Sequence, residues 1–396
     1  MTALYQVLGD IAVITLDHPP VNGLDLATRR AVVQALLRAQ SDGAVQAVVL
    51  DGAGRTFSGG SDIKEFGTDR AMQSPHLLDV IELIESFGKP VVAALHGAAM
   101  GGGLELALGC HYRVASAGTR LALPEVKLGL LPGAGGTQRL PRVLGVEAAL
   151  NLILSGEAVL AEAVARLPGQ KLLDLLVSDP QQLRDAAVSF ARSVAADRPL
   201  PQVRRLPAGH PQGAAFFQFA RNTARAMAPH VPAPLACVDA VEAATTRPFE
   251  AGLAYERERF MGLMYTPVSR ALRHVFLAER GTARIADVPD DTPRRPVLAV
   301  GVVGAGTMGS GIAVNFLDAG LPVALLESSA EALERGTAAV TRIFEGRVKK
   351  GKLSAEACTQ RLALLQPTLD DSDLGRADLL IEAVYEDFDV KAAVFR

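Results

Sequence analysis

The residues richest in chemistry lie between His96 and Arg139. Three consecutive glycines, Gly101 to Gly103, run straight into Leu104-Glu105-Leu-Ala-Leu, a helical pattern with one carboxylate in an otherwise apolar first turn. Glycines let a ligand approach the backbone closely, and the free amides of a helix start favour developing negative charge. Glu105 follows Gly102 by three positions, about one helical turn, so its carboxylate reaches the space those amides face. A second isolated acid, Glu125, comes 20 positions later in Leu-Ala-Leu-Pro-Glu-Val, again among apolar neighbours. Two carboxylates beside an oxyanion donor fit proton transfer next to a carbonyl. Each acid also has a plainer reading, Glu105 as a capping or dipole partner and Glu125 as a loop acid paired with Lys127 or an arginine.

A second chemical signature begins at Val297. An apolar run leads into Gly304-x-Gly306-x-x-Gly309, a helical stretch follows to Gly320, and Val323 to Leu326 reads as a strand ending in Glu327, 23 positions after Gly304. In that context the glycines form a dinucleotide fingerprint, with the acid placed to bind a ribose hydroxyl. No arginine follows Glu327 directly, which favours NAD over NADP. The other glycine cluster, Gly133-Ala-Gly-Gly-Thr, lacks a GxxxxGK[ST] pattern and reads as a turn. His96 and His111 have no metal-spaced companion, and no metal is expected.

The elements that must position these groups alternate along the chain. Ile11 to Leu16 reads as a strand closed by Asp17-His-Pro-Pro, and Asp25 caps a helix carrying Val32, Ala35, Leu36 and Ala39. Val45 to Leu50 is a second strand, running into the glycine loop Phe57-Ser-Gly-Gly-Ser61-Asp-Ile-Lys. A helix over 76–87 and a strand over 91–95 then lead to the glycine triplet. Strands alternating with helices indicate an α/β fold with a largely parallel sheet. From Val146 the pattern is helical, and a stretch rich in Pro, Arg and Gly over about 197–213 marks a boundary. Residues 214–280 have the spacing of amphipathic connector helices, and the Asp-Val-Pro-Asp-Asp-Thr-Pro stretch marks a second boundary.

The chain has 396 residues, enough for two or three domains. A net charge of -3 gives no case for nucleic acid or an anionic membrane. The most apolar window, 91–110, holds His96, Glu105 and several glycines, so a buried core is expected rather than a membrane span. Three scattered cysteines, Cys110, Cys237 and Cys358, fit a reducing compartment. Without an N-terminal secretory signal, the expected location is a bacterial cytoplasm, with the peroxisome left open.

GAAMGGGLELAL followed by LPEVKLGLLPGAGGTQRLPR resembles the crotonase superfamily of enoyl-CoA hydratases and isomerases over roughly residues 1–190. GVVGAGTMGSGIA and ADLLIEAVYEDFDVKAAVF resemble the 3-hydroxyacyl-CoA dehydrogenase family, and the helices between them resemble the linker of multifunctional β-oxidation enzymes. The resemblance implies a β-β-α spiral domain over 1–196, a helical linker over 197–292 and a partial Rossmann NAD-binding domain over 293–396. It implies an acyl-CoA thioester substrate, coenzyme A as carrier and NAD as cofactor. On it, the backbone amides of Ser61 and Gly102 hold the thioester oxygen, Glu105 and Glu125 are catalytic, and Met308, Glu386 and Lys391 join Gly304, Gly306, Gly309 and Glu327 at the NAD. Many relatives carry Ala at the Ser61 position, a change of little consequence where the backbone acts. The resemblance further implies self-association or a thiolase partner. Hydration of trans-2-enoyl-CoA is the expected activity, with Δ3-Δ2 isomerisation or non-catalytic binding of acyl-CoA or NAD(H) as alternatives. No histidine follows His274, so dehydrogenase activity is expected only from a longer chain.

Overall fold

The computed structural model describes residues 2–282, 285, 287–289 and 291–395; Asp290 of the expected second boundary and Arg396 lie outside the described residues. The chain divides into two compact units, Met1–Arg284 and Ile285–Arg396. The first begins with β1 (Ala3–Leu8), β2 (Ile11–Leu16), α1 (Leu26–Ser41), β3 (Ala47–Gly52), α2 (Leu77–Glu85), β4 (Val91–Leu95), β5 (Ala98–Met100) and α3 (Gly102–Gly109). It continues through β6 (Tyr112–Ser116), β7 (Arg120–Ala122), a 3-10 turn over Pro124–Leu128, α4 (Gly136–Leu144), α5 (Val146–Ser155), β8 (Val159–Leu160), α6 (Ala161–Ala165), β9 (Leu175–Val177) and α7 (Leu183–Ser193).

The main sheet has the order β1-β2-β3-β4-β6-β9, with only the β1–β2 hairpin antiparallel. A small sheet, β5-β7-β8, forms a second layer of strands. Successive turns of the chain thus place one strand in each layer and then a helix, the spiral repeat of an α/β crotonase-like fold. The main strands are continuous apolar runs because both faces are covered. Ile11, Val13, Ala47, Val49, Val92 and Ala94 pack against Leu183, Ala187 and Ala191 of α7. Their alternate neighbours Ala12, Ile14, Leu16, Val48, Leu50 and Ala93 face the principal core. Asp25 caps α1 by accepting from Thr28 N at 2.8 Å.

Four further helices, α8 (Ala214–Met227), α9 (Ala233–Thr246), α10 (Phe249–Met264) and α11 (Pro267–Gly281), occupy the stretch expected as a connector. They are built into the first unit: Phe217, Cys237, Val238, Val241, Phe260 and Met264 all enter the principal core. The expected boundary near residue 197 therefore does not separate two compact bodies, because the apolar faces of these helices close over α4, α5 and the 3-10 turn.

The second unit contains β10 (Val300–Val303), α12 (Thr307–Asp318), β11 (Val323–Leu326), α13 (Ala330–Lys349), α14 (Ala355–Leu362), β12 (Leu365–Thr368), β13 (Leu379–Glu382) and α15 (Phe388–Val394). Its sheet is wholly parallel in the order β12-β11-β10-β13. Val300, Val302, Val323 and Leu325 form its core with Ala313, Leu317, Val340 and Phe344 of the helices. Among the described residues no helix is long and apolar enough to cross a membrane.

Candidate active site

The loop after β3 runs beside β5. Ser58 N donates to Ala98 O at 3.1 Å and Met100 N to Ser58 O at 3.0 Å, a parallel bridge that extends just beyond the end of each segment. There Gly60 and Gly101, with φ of +95° and +51°, turn the two chains together. A Cβ on Gly60 would lie 2.6 Å from Met100 O and 3.2 Å from Gly102 N, and one on Gly102 would lie 3.2 Å from Ser61 N. The amides of Ser61 and Gly102 are therefore neighbours, and neither has an acceptor among the described residues. Gly102 opens α3, so the helix dipole adds to the field at this point.

Glu105 lies in the first turn of α3 and is 3% exposed. It does not cap its own helix. Its Oε1 accepts from Ala134 N at 2.7 Å and Gly136 N at 2.8 Å, the amides leading into α4. Burial raises its pKa, opposed by those two amides and then by the charges of Arg139 and Arg257.

Glu125 sits in the 3-10 turn, against the start of α3: a Cβ on Gly101 would be 2.9 Å from its Oε1. It does not pair with Lys127, which bonds Glu157 at 2.8 Å. Its Oε2 is buried with no partner among the described residues. Burial pushes its pKa well above the ordinary carboxylate value, and the negative charges of Glu105 and Glu256 push it further. Two acids thus face one space with raised proton affinity and different partners, Glu105 Oε1 held by two amide donors and Glu125 Oε2 by none among the described residues.

Ser61, Gly102, Glu105 and Glu125 all line one cleft enclosing about 980 Å³ of empty space, part of it open to solvent. Its remaining wall is mostly apolar and includes Leu77, Leu128, Phe260, Met261 and Met264. Three of those residues, with Arg257, come from α10, which the sequence reading treats as a connector. So does Glu256, 0% exposed, whose carboxylate bonds the same turn that holds Glu105. The available signal was the four-residue spacing of Gly252, Glu256 and Phe260, which puts an acid on the helix's inward face.

In the second unit Gly304, at φ +99°, turns from β10 towards α12, and a Cβ on it would lie 2.8 Å from Ala383 O. A Cβ on Gly309 would lie 1.8 Å from Gly304 O, whereas Gly306 has no heavy atom in the way. That is the division of labour of a dinucleotide loop: a turn, an open approach and close helix packing. Glu327 Oε1 accepts from Ala305 N at 3.1 Å, so the acid stands beside the loop. These residues fit a nucleotide's pyrophosphate and ribose. Met308 lies in the first turn of α12 and is 71% exposed. Lys391 of α15 pairs with Glu386 at 2.7 Å and Glu382 at 3.3 Å.

Comparison with known proteins adds three findings. The model of the enoyl-CoA hydratase/isomerase family matches residues 7–204, and that of the 3-hydroxyacyl-CoA dehydrogenase NAD-binding domain matches 299–396. The peroxisomal bifunctional enzyme of Homo sapiens is 40% identical over 398 residues, 97% of this chain and 53% of its own. The glyoxysomal fatty acid beta-oxidation multifunctional protein MFP-a of Brassica napus is 38% identical over 402 residues, 97% of this chain and 54% of its own. The chain thus spans about half the length of the curated relatives it matches. Among solved structures, a carnitinyl-CoA dehydratase from Mycobacterium avium 104 aligns with a TM-score of 0.52 at 28% identity, covering 69% of this chain and 96% of that one. The relatives' names also correct the expected location. They are peroxisomal and glyoxysomal proteins, which overturns the bacterial cytoplasm; a missing N-terminal signal does not discriminate between these compartments. The chain belongs to the enoyl-CoA hydratase/isomerase family, fused to the NAD-binding domain of the 3-hydroxyacyl-CoA dehydrogenases.

Proposed function

We propose that this chain hydrates trans-2-enoyl-CoA thioesters to 3-hydroxyacyl-CoA, with coenzyme A as the carrier of the acyl group. The observation that carries this reading is the pair of differently partnered buried carboxylates, Glu105 and Glu125, in a cleft that also presents two neighbouring free amides. The thioester oxygen accepts from Ser61 N and Gly102 N, which stabilise the enolate by about 3 kcal/mol per donor in comparable sites. Glu105, aimed by its two amide donors, takes in its ionised form the proton of the water whose oxygen bonds C3. Glu125, kept protonated by burial and its acidic neighbours, gives its proton to C2. One water is added across the double bond, and a proton exchange between the acids and solvent restores both.

Glu125 also suits Δ3-Δ2 isomerisation, since an orphaned carboxyl oxygen in an apolar cleft can move one proton between two carbons. The amide-held Glu105 favours hydration as the main activity. In the second unit, NAD would rest its pyrophosphate on Gly304, Gly306 and Gly309 and its ribose on Glu327, with Met308, Glu386 and Lys391 alongside. When bound, NAD supplies a hydride acceptor.

Crotonyl-CoA tests the reading directly, through loss of the conjugated thioester's ultraviolet absorbance. Loss of absorbance supports hydration, and turnover confined to 3-enoyl substrates would replace it with isomerisation. No turnover by a folded protein would leave a binding module.

A further inference from the structure

One buried acid has no part in that scheme. Glu256 lies midway along α10, on the face that also carries Gly252 and Phe260. That face is pressed onto the turn entering α4. A Cβ on Gly252 would lie 2.2 Å from Gln138 Oε1, and one on Gly133 would lie 2.5 Å from the Phe260 ring. Glu256 Oε1 accepts from Gly135 N at 2.6 Å, and its Oε2 accepts from Thr137 N at 2.9 Å and from the Thr137 hydroxyl at 2.6 Å. The intervening amides point the other way, with Ala134 N and Gly136 N both donating to Glu105 Oε1. Four successive amides are thus shared alternately between two carboxylates, one from α3 and one from α10.

A helix start needs no such arrangement for its own sake. A serine, threonine or aspartate at the cap satisfies the free amides near solvent, without the cost of burying a carboxyl group. The fully buried acid from a distant helix therefore needs another explanation, and the turn it holds is the one that holds Glu105. We propose that Glu256 is a positioning residue for hydration: it fixes the 134–137 turn from behind, so that the Ala134 and Gly136 amides keep the Glu105 carboxylate aimed at the attacking water. This inference rests on the reading of Glu105 as the water-activating base. The charged and titratable groups facing this cluster are Glu105 of α3, Glu125 of the 3-10 turn, Arg139 of α4, Cys237 of α9 and Arg257 of α10 itself.

Glu256→Gln keeps the size of the side chain but cannot accept at both ends, so its amide nitrogen must confront either Gly135 N or Thr137 N. The variant should bind crotonyl-CoA with KM within about twofold of the parent, while kcat for hydration falls on the order of tenfold to a hundredfold, the effect of a misplaced reacting group. The acid limb of the pH profile of kcat should move, because the donors that stabilise ionised Glu105 are no longer held. Thr137→Val is the milder companion: it removes one bond to Glu256, leaves every backbone amide, and should shift kcat and the acid limb in the same direction by less. If Glu256→Gln does not fold, Thr137→Val decides on the same two readings. Glu105→Gln, measured alongside, separates this inference from the reading beneath it. Full hydration by Glu105→Gln overturns both. Loss in Glu105→Gln with full kcat and an unmoved acid limb in the Glu256 and Thr137 variants overturns the positioning role alone.

Discussion

The first unit draws its candidate chemistry from Ser61, Gly102, Glu105, Glu125 and Glu256, side chains and amides from four separate segments spread over almost two hundred positions. The second presents its nucleotide loop within the short run from Gly304 to Glu327, built almost wholly from backbone. The first crowds buried acids together, so that burial and then a neighbour's charge raise the proton affinity of Glu125 and Glu256. The other works by leaving the backbone bare. Sites of the first kind should fail when a charge is altered, sites of the second when a methyl group is added.

The largest effect is expected for Glu125→Gln. It removes the one cleft acid with an unpartnered buried oxygen among the described residues, and should lower hydration of crotonyl-CoA by roughly a thousandfold or more while binding of the ester persists. The matching lesion in the second unit is Gly309→Ala, whose methyl would lie 1.8 Å from Gly304 O. The loop must shift to accept it, and NADH affinity, followed by fluorescence titration, should weaken by about tenfold or more, a loss of at least about 1.4 kcal/mol of binding energy.

A smaller effect separates the units by pH. Burial and the charge of Glu105 raise the Glu256 pKa from the ordinary 4.5 to about 8. A folded state that holds its proton more tightly than the unfolded chain is most stable below the ordinary carboxylate range. It loses that stability as pH rises towards about 8. The melting temperature of the parent should therefore fall over this interval, and Glu256→Gln should flatten the fall. Hydration should be bell-shaped, weakening in acid as Glu105 is protonated and in alkali as Glu125 ionises. The smallest change is expected for Ser61→Ala. If only the amide at this position acts, crotonyl-CoA hydration should slow by less than about threefold; a larger loss would assign the hydroxyl a role.

The same contrast explains what could be read before the fold was known. The nucleotide loop was fully legible, because its glycines, strand and terminal acid are contiguous. So were β2, β4, the cap of α1 and the neighbourhood of Glu105, where apolar runs and glycines announce themselves locally. The short strands β5, β7 and β8 were not, since two or three residues carry no detectable alternation. Nor was the contribution of α10. Phe-Glu-Ala-Gly-Leu-Ala-Tyr-Glu-Arg-Glu-Arg-Phe reads as an amphipathic connector, because its apolar residues recur at three- and four-residue intervals among many charges. The spacing puts Glu256 on one face with Gly252 and Phe260, and the turn at Gly133 to Thr137 across the interface shows that this face points inward.

The central claim is that Glu105 and Glu125 act together on the two ends of one double bond. Its most direct test is the crotonyl-CoA hydration rate of Glu105→Gln, Glu125→Gln and the double variant under one set of conditions. Groups that act as a unit give strongly non-additive losses, so each single variant should be slower by orders of magnitude and the double variant about as slow as the slower single. A near-parental rate in either single variant, or losses that simply multiply in the double, would contradict it.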